Sequence, residues 1–275
     1  MELSLITIFY FSAAVVVAGI AAGLIAGLLG VGGGIVLVPV LFYLFTLLDV
    51  DPTVRMHLAV GTSLSTIIAT AYSSSKAHYL KGSIDMELLK NWAPSLFIGA
   101  VIGIFIFSQI KSDQLSLVFA IITLLIAIYM LINPKQKADV EPSFPTGITR
   151  YVYGLIISAL SSIMGIGGGT LSVPLLTVYN YPIRKAVGTA AAIGLIISIP
   201  GTIGAFISGA GAEGLPPFSI GYVNILAFLI LIPLTWYFAP KGARLAHAIP
   251  PRVLRFLFAL FLIFNSANMF YSTFN

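Results

Sequence analysis

Cysteine is absent from this chain of 275 residues, so it can form no disulfide framework, thiolate metal site or iron–sulfur cluster. Charge is nearly as scarce. Only 8% of residues are Asp, Glu, Lys or Arg. A soluble domain carries roughly 25%, so this surface cannot face water all round. No acidic residue falls deep inside an apolar run. Glu2, Asp49, Asp51, Asp85, Glu87, Asp113, Asp139, Glu141 and Glu213 all lie in loops or at run ends. Proton-coupled cation carriers usually bury a carboxylate, so a cation substrate is disfavoured. Neither His-Glu-x-x-His nor Gly-x-Ser-x-Gly occurs, which leaves an intramembrane hydrolase without metal site or nucleophile. No enzyme activity, catalytic residue, metal or cofactor is expected. The net charge of +5 reports membrane topology rather than a nucleic-acid partner.

What is abundant is apolar sequence, at 59% of the chain. Runs near the roughly 20 residues that cross a bilayer recur from end to end, the pattern of an all-α polytopic membrane protein. The first half carries them at about 4–28, 35–48, 57–75, 91–109 and 114–132. The second half carries them at about 150–164, 170–181, 186–208, 221–239 and 253–272. The second run of each half is too short for a straight crossing and is expected to join broken or tilted neighbours. The first run lacks a basic leader and reads as a span rather than a cleaved signal. Residues 1–132 form one expected repeat and 150–275 the other. Residues 133–149, with Pro134, Pro142 and Pro145, form a linker between them.

Lysine and arginine positions test this layout. If all ten runs cross, 12 of the 14 basic residues share one side, leaving Arg55 and Lys111 opposite. If the two short runs are re-entrant, the split is 8 to 6. Cytoplasmic loops are the basic ones, so ten crossings are favoured. Both termini and the 209–220 loop then lie outside an inner membrane, and the linker lies in the cytoplasm. Five is odd, so the halves run in opposite directions, an inverted repeat of the kind common in secondary transporters.

A glycine cluster occurs once per half. Gly30-Val31-Gly32-Gly33-Gly34 precedes Pro39, and Gly165-Ile166-Gly167-Gly168-Gly169 precedes Pro174, at an offset of 135. Upstream, Gly19, Gly23 and Gly27 correspond to Gly154, Ser158 and Ser162. Downstream, Ala59-Val60-Gly61-Thr62-Ser63 resembles Ala186-Val187-Gly188-Thr189-Ala190. Consecutive glycines hold a helix poorly, and a broken backbone in a bilayer needs protein or a water-lined cavity around it. The helix that follows offers free N–H groups, which bind anions. Gly30, Gly32, Gly33, Gly34, Gly165, Gly167, Gly168 and Gly169 are therefore candidate substrate-binding positions; tight helix packing is the alternative. Pro39, Pro174, Gly61 and Gly188 are candidate hinge positions. No Gly-Lys-Ser/Thr follows either cluster, so neither is a phosphate-cradling P-loop.

Thr62, Ser63 and Thr189 are hydroxyls inside apolar runs, able either to donate to an oxyanion or to bond back to their own helix. Arg55 and His57 precede the first Gly-Thr run, and Arg184 and Lys185 precede the second. On opposite membrane faces these would funnel an anion, or serve only as topology determinants. Lys76 and His78 would end near the cytoplasmic mouth. Gly19, Gly23 and Gly27, and Gly99 and Gly103, put small residues on one helix face for close contact. Ser65, Thr66, Asn265 and Asn268 fall deep and read as interhelical bonds or pathway lining.

Both Gly-x-Gly-Gly-Gly-x4-Pro elements, each with its downstream Ala-Val-Gly-Thr-Ser/Ala, resemble the TauE/SafE family of sulfite exporters. The resemblance covers nearly the whole chain and is strongest at 27–41 with 57–65 and at 162–176 with 183–192. It implies an inner-membrane carrier for sulfite, an organosulfonate such as sulfoacetate, or a related sulfur anion, often moved outward. The implied partners are that anion and the lipid bilayer, with a homodimer left open. Residues 209–220 have no counterpart in the first half, and read as a gate or an external loop. An anion channel, or a membrane partner of a cytoplasmic sulfur enzyme, remains open at this point.

Overall fold

The computed structural model describes residues 5–30, 32–132, 144–245 and 250–274. Residues 133–143 of the expected linker, and Val31 of the first glycine cluster, lie outside the described residues. The described chain is helical apart from one short hairpin. Its helices are α1 (Leu5–Leu29), α2 (Gly34–Leu47), α3 (Pro52–Tyr79), α4 (Met86–Gln109) and α5 (Ser112–Ile132), then α6 (Ile148–Met164), α7 (Gly169–Val178), α8 (Ile183–Ser208), α9 (Ile225–Leu245) and α10 (Pro251–Phe274). Strands β1 (Ser219–Ile220) and β2 (Val223–Asn224) pair antiparallel just before α9.

Each apolar run became one helix, extended at its ends by polar residues that the hydropathy reading left out. The exceptions are the seventh run, expected to reach 181 but helical only to Val178, and the ninth, expected to begin at 221. Residues 221–224 instead belong to the hairpin, because Asn224 caps α9: its Oδ1 accepts the Ala227 N–H at 3.0 Å. Asp85 caps α4 in the same way, through Leu88 N–H at 2.9 Å. Among the described residues, five helices are long and apolar enough to cross a membrane: Ser12–Leu29, Met86–Gln109, Ser112–Ile132, Ile183–Ser208 and Ile225–Leu245. Helix α3 has the length, at 28 residues, but carries the buried Thr62, Ser63, Ser65, Thr66 and Thr70.

Helix pairings repeat when the element number is shifted by five. Helix α1 lies on α9 as α6 lies on α4, and α3 lies on α9 as α8 lies on α4. Helices α3 and α8 pair with each other, as do α5 and α10. Between apolar helices in lipid, close van der Waals contact replaces the hydrophobic drive, and small residues permit it. The glycine stripes do this work. Gly19 faces Leu231 and Leu234, Gly23 faces Thr235 and Phe238, and Gly27 meets the Ala239 carbonyl, all on α9. From the other side, Gly242 meets Leu24. Gly99 and Gly103 of α4 meet Leu155, Ser158 and Ala159 of α6, and Gly154 meets Trp92 and Ser95. The packing reading of these stripes holds.

Candidate functional site

Both glycine clusters break the chain at corresponding positions. Helix α1 ends near Gly30 (φ 67°) and α6 at Gly165 (φ 68°), each in the left-handed conformation that glycine adopts at little cost. The next helices start behind Gly33 (φ 81°) and Gly168 (φ 73°), and neither N-cap supplies a side-chain oxygen. Pro39 and Pro174 then sit inside α2 and α7 and donate no N–H to the preceding turn.

The breaks pack on the opposite half. Gly30 lies against Val187 of α8, and Gly165 lies against Val60 of α3. They also meet each other. A methyl group on Gly32 would stand 3.2 Å from the Gly167 Cα, and one on Gly34 would run into the Gly165 carbonyl. Val60 to Ile67 spans about 12 to 22 Å along the roughly 42 Å of α3, at 1.5 Å per residue. Gly165 touches Val60 and Gly32 touches Ile67, so the contact is centred in the N-terminal half of α3, away from its ends.

The hydroxyls of the Gly-Thr helices have defined partners. Thr62 Oγ1 accepts the Asn224 N–H at 2.9 Å, and Thr189 Oγ1 accepts the Asp85 N–H at 2.9 Å. Each threonine thus holds the N-cap residue of a helix from the opposite half, α9 or α4. The adjoining glycines allow it: Gly61 meets the Tyr222 carbonyl and Gly188 the Ser83 carbonyl. Ser63 Oγ donates to the Gly165 carbonyl at 2.8 Å, tying α3 to the second break. Ser65 and Thr66 donate to the Thr62 carbonyl, and Asn265 and Asn268 donate to Phe261 and Phe264 carbonyls. All four donate within their own helices, and Asn268 is only partly buried.

The cations are not gathered at the breaks. Arg55 closes on its own loop, with Nη2 donating to the Val50 carbonyl at 2.7 Å and its guanidinium 5.9 Å from the Phe42 ring. Beside it, the Thr53 hydroxyl and N–H hold the Asp51 carboxyl below its usual range. Arg184 and Lys185 are exposed at the start of α8. His57 is buried, with Nε2 3.2 Å from the Phe107 carbonyl and its ring 4.8 Å from Tyr222. Tyr222 also anchors the hairpin, its N–H bonding the Ala205 carbonyl at 3.0 Å. The hairpin turn that follows the loop without a counterpart is therefore wedged between α3 and α8. At the other end of these helices, His78 Nε2 lies 3.2 Å from the Gly27 carbonyl. Tyr181 donates to Asp85 Oδ2 at 3.1 Å, and burial together with that carboxylate pushes its phenol up to about 12.

Sequence reasoning missed three polar groups. Ser161 and Ser162 end α6, Thr170 is the second residue of α7, and all three are buried. Their hydroxyls have no hydrogen-bond partner among the described residues. A buried unsatisfied hydroxyl costs about 1–3 kcal/mol, so three around one break call for a functional account. The signal was available: the residues 135 positions earlier are Ala26, Gly27 and Ile35, so the second half adds a hydroxyl at each of these three positions. Among the described residues, no group of His, Asp or Glu could hold a metal ion.

Comparison with known proteins bears on what this arrangement serves. The family model for the sulfite exporter TauE/SafE matches residues 15–269. The chain belongs to the TauE/SafE family. A probable membrane transporter protein of Haemophilus influenzae is 34% identical over 253 residues, covering 92% of this chain and 95% of that protein. The probable membrane transporter protein YunE of Bacillus subtilis is 28% identical over 276 residues, covering 93% and 96%. A third relative so named, from Methanocaldococcus jannaschii, is 29% identical over 257 residues, covering 90% and 91%. No solved structure matches significantly. This TauE/SafE member is thus a multi-pass membrane transporter, as its residues led one to expect.

Proposed function

We propose that this TauE/SafE protein is a secondary transporter that exports a small sulfur oxyanion, sulfite or an organosulfonate such as sulfoacetate. Transport proceeds by alternating access between two inverted five-helix repeats, 1–132 and 150–275, joined by a cytoplasmic linker at 133–149. All ten helices cross the inner membrane, with both termini outside. One observation carries this reading: the two glycine breaks meet each other, Gly32 against Gly167 and Gly34 against Gly165, and each is seated on the other half's Gly-Thr helix, at Val187 of α8 and Val60 of α3. Broken backbone in a bilayer is tolerated where it is buried in protein or lines a water-filled path, and broken helices at a repeat interface hold the substrate in carriers of this kind. Rocking one half against the other would slide the two breaks and expose the path to one side, then the other. A potential negative inside drives an anion outward by about 2.3 kcal/mol per charge per 100 mV.

The test is sulfite flux in proteoliposomes with set membrane potential and pH gradient, with sulfoacetate, thiosulfate and sulfate as competitors. Saturable sulfite flux that responds to the potential is expected. Absence of flux for every sulfur anion would end this reading.

A further inference from the structure

The second glycine break differs from the first in chemistry. Ser161 and Ser162 are 0% exposed and Thr170 1%, and none of their hydroxyls has a partner among the described residues. Neighbouring hydroxyls are satisfied: Ser158 bonds the Gly154 carbonyl, Ser172 the Gly168 carbonyl and Ser63 the Gly165 carbonyl. Bonding back to the preceding turn is open to any helical serine, and Ser158 and Ser172 use it. Ser161 and Ser162 do not. Their carbonyls accept the Ile166 and Gly165 N–H groups that turn the chain into the break, so both residues are fixed at its edge. Thr170 stands on the far edge, in the uncapped first turn of α7.

No full charge lies nearby in sequence. Residues 3–48, 56–75, 151–183 and 186–212 contain no Asp, Glu, Lys or Arg. Every Asp, Glu, Lys, Arg and His on helices α3 to α8 lies within two turns of a helix end, His57 and His78 included. Hydroxyl and amide donors can replace the hydration of one negative charge. Desolvation rises with the square of charge, so a dianion costs about four times as much as a monoanion, and no Lys or Arg lies between Arg150 and Arg184 in sequence to offset it.

We propose that Ser161, Ser162 and Thr170 are the donor set of the transport site, and that the site takes monoanions. This rests on the oxyanion-transport reading and narrows its substrate class. Hydrogensulfite and simple alkanesulfonates fit; the sulfite dianion, sulfate and sulfoacetate, which carries a second charge on its carboxylate, do not.

The experiment is flux and competition in proteoliposomes holding the full chain. As pH rises from about 6 to about 8 at fixed total sulfite, flux should fall with the hydrogensulfite fraction. Methanesulfonate stays singly charged throughout, so its flux reports any titration of the protein and should stay level. Methanesulfonate should compete at least about tenfold better than sulfate, and Ser162→Ala or Thr170→Val should weaken that competition about tenfold. Sulfate competing as well as methanesulfonate would overturn the proposal without any variant being needed. So would flux that follows the dianion, or Ala and Val variants that are present in the membrane with unchanged affinity. A chain that moves none of these anions would instead overturn the transport reading, and the donor set with it.

Discussion

Gly34→Ala is a perturbation whose sign separates this structure from a generic helix. Gly34 opens α2 with ordinary helical backbone, so in an isolated helix alanine would stabilise it by about 1 kcal/mol. Here the new methyl would meet the Gly165 carbonyl and stand 3.0 Å from the Ile166 Cα and 2.8 Å from Ile67 Cδ1. The isoleucine methyl can move. The Gly165 carbonyl is held by Ser63 at 2.8 Å and belongs to the second break, so one half would have to shift against the other. Overpacking of this kind costs typically about 1–3 kcal/mol, with backbone obstacles at the upper end. The expected net loss is therefore about 2 kcal/mol. Gly82→Ala is the control: that glycine has φ 64° but open space around it, so it bears only the conformational cost. Heating detergent-purified protein at one fixed rate ranks the variants, since unfolding of such a chain is irreversible. Gly34→Ala should lose its monodisperse form well below wild type and below Gly82→Ala. A Gly34→Ala protein as stable as wild type would refute the break-on-break contact.

Three further outcomes follow from named contacts. Thr62→Val and Thr189→Val leave the Asn224 and Asp85 N–H groups without their acceptors, so each should lose about 1–3 kcal/mol, while the Ser variants keep the bond; thermal midpoints of the four proteins decide this. The Tyr181 phenol, raised from 10.0 to about 12, contributes stability that is complete below about pH 10 and is lost as pH climbs towards 12. Tyr181→Phe should remove that part of the alkaline decline, read as thermal midpoint against pH, and one late phenolate from the absorbance titration. Arg55→Lys keeps the charge but not the geometry on the Val50 carbonyl, and should lower stability by about 1 kcal/mol with anion flux retained. Lost flux at unchanged stability would move Arg55 into the anion path.

Much of this architecture was legible before any coordinates. Apolar run length located each helix, and the paired glycine clusters located both breaks, because three consecutive glycines hold a helix poorly. What the hydroxyls do was not legible. Thr62 meets a residue 162 positions away and Thr189 one 104 positions away, and neither partner carries a hydropathy signal. The same long reach hid the Ser63 bond to Gly165. Arg55 looked like a free cation because sequence does not show that its loop folds a carbonyl back onto it. Ser161 and Thr170 carry no signal of their own, and Ser162 reads only as the counterpart of Gly27, because repeat symmetry marks what the two halves share and these residues are where they differ.

The central claim is a carrier that alternates between two faces around the paired breaks, and exchange tests it most directly. Proteoliposomes are loaded with labelled sulfite and diluted into buffer with or without unlabelled sulfite. A carrier predicts that external sulfite speeds the exit of label and that the effect saturates. Efflux that is indifferent to external sulfite and rises linearly with concentration would contradict alternating access.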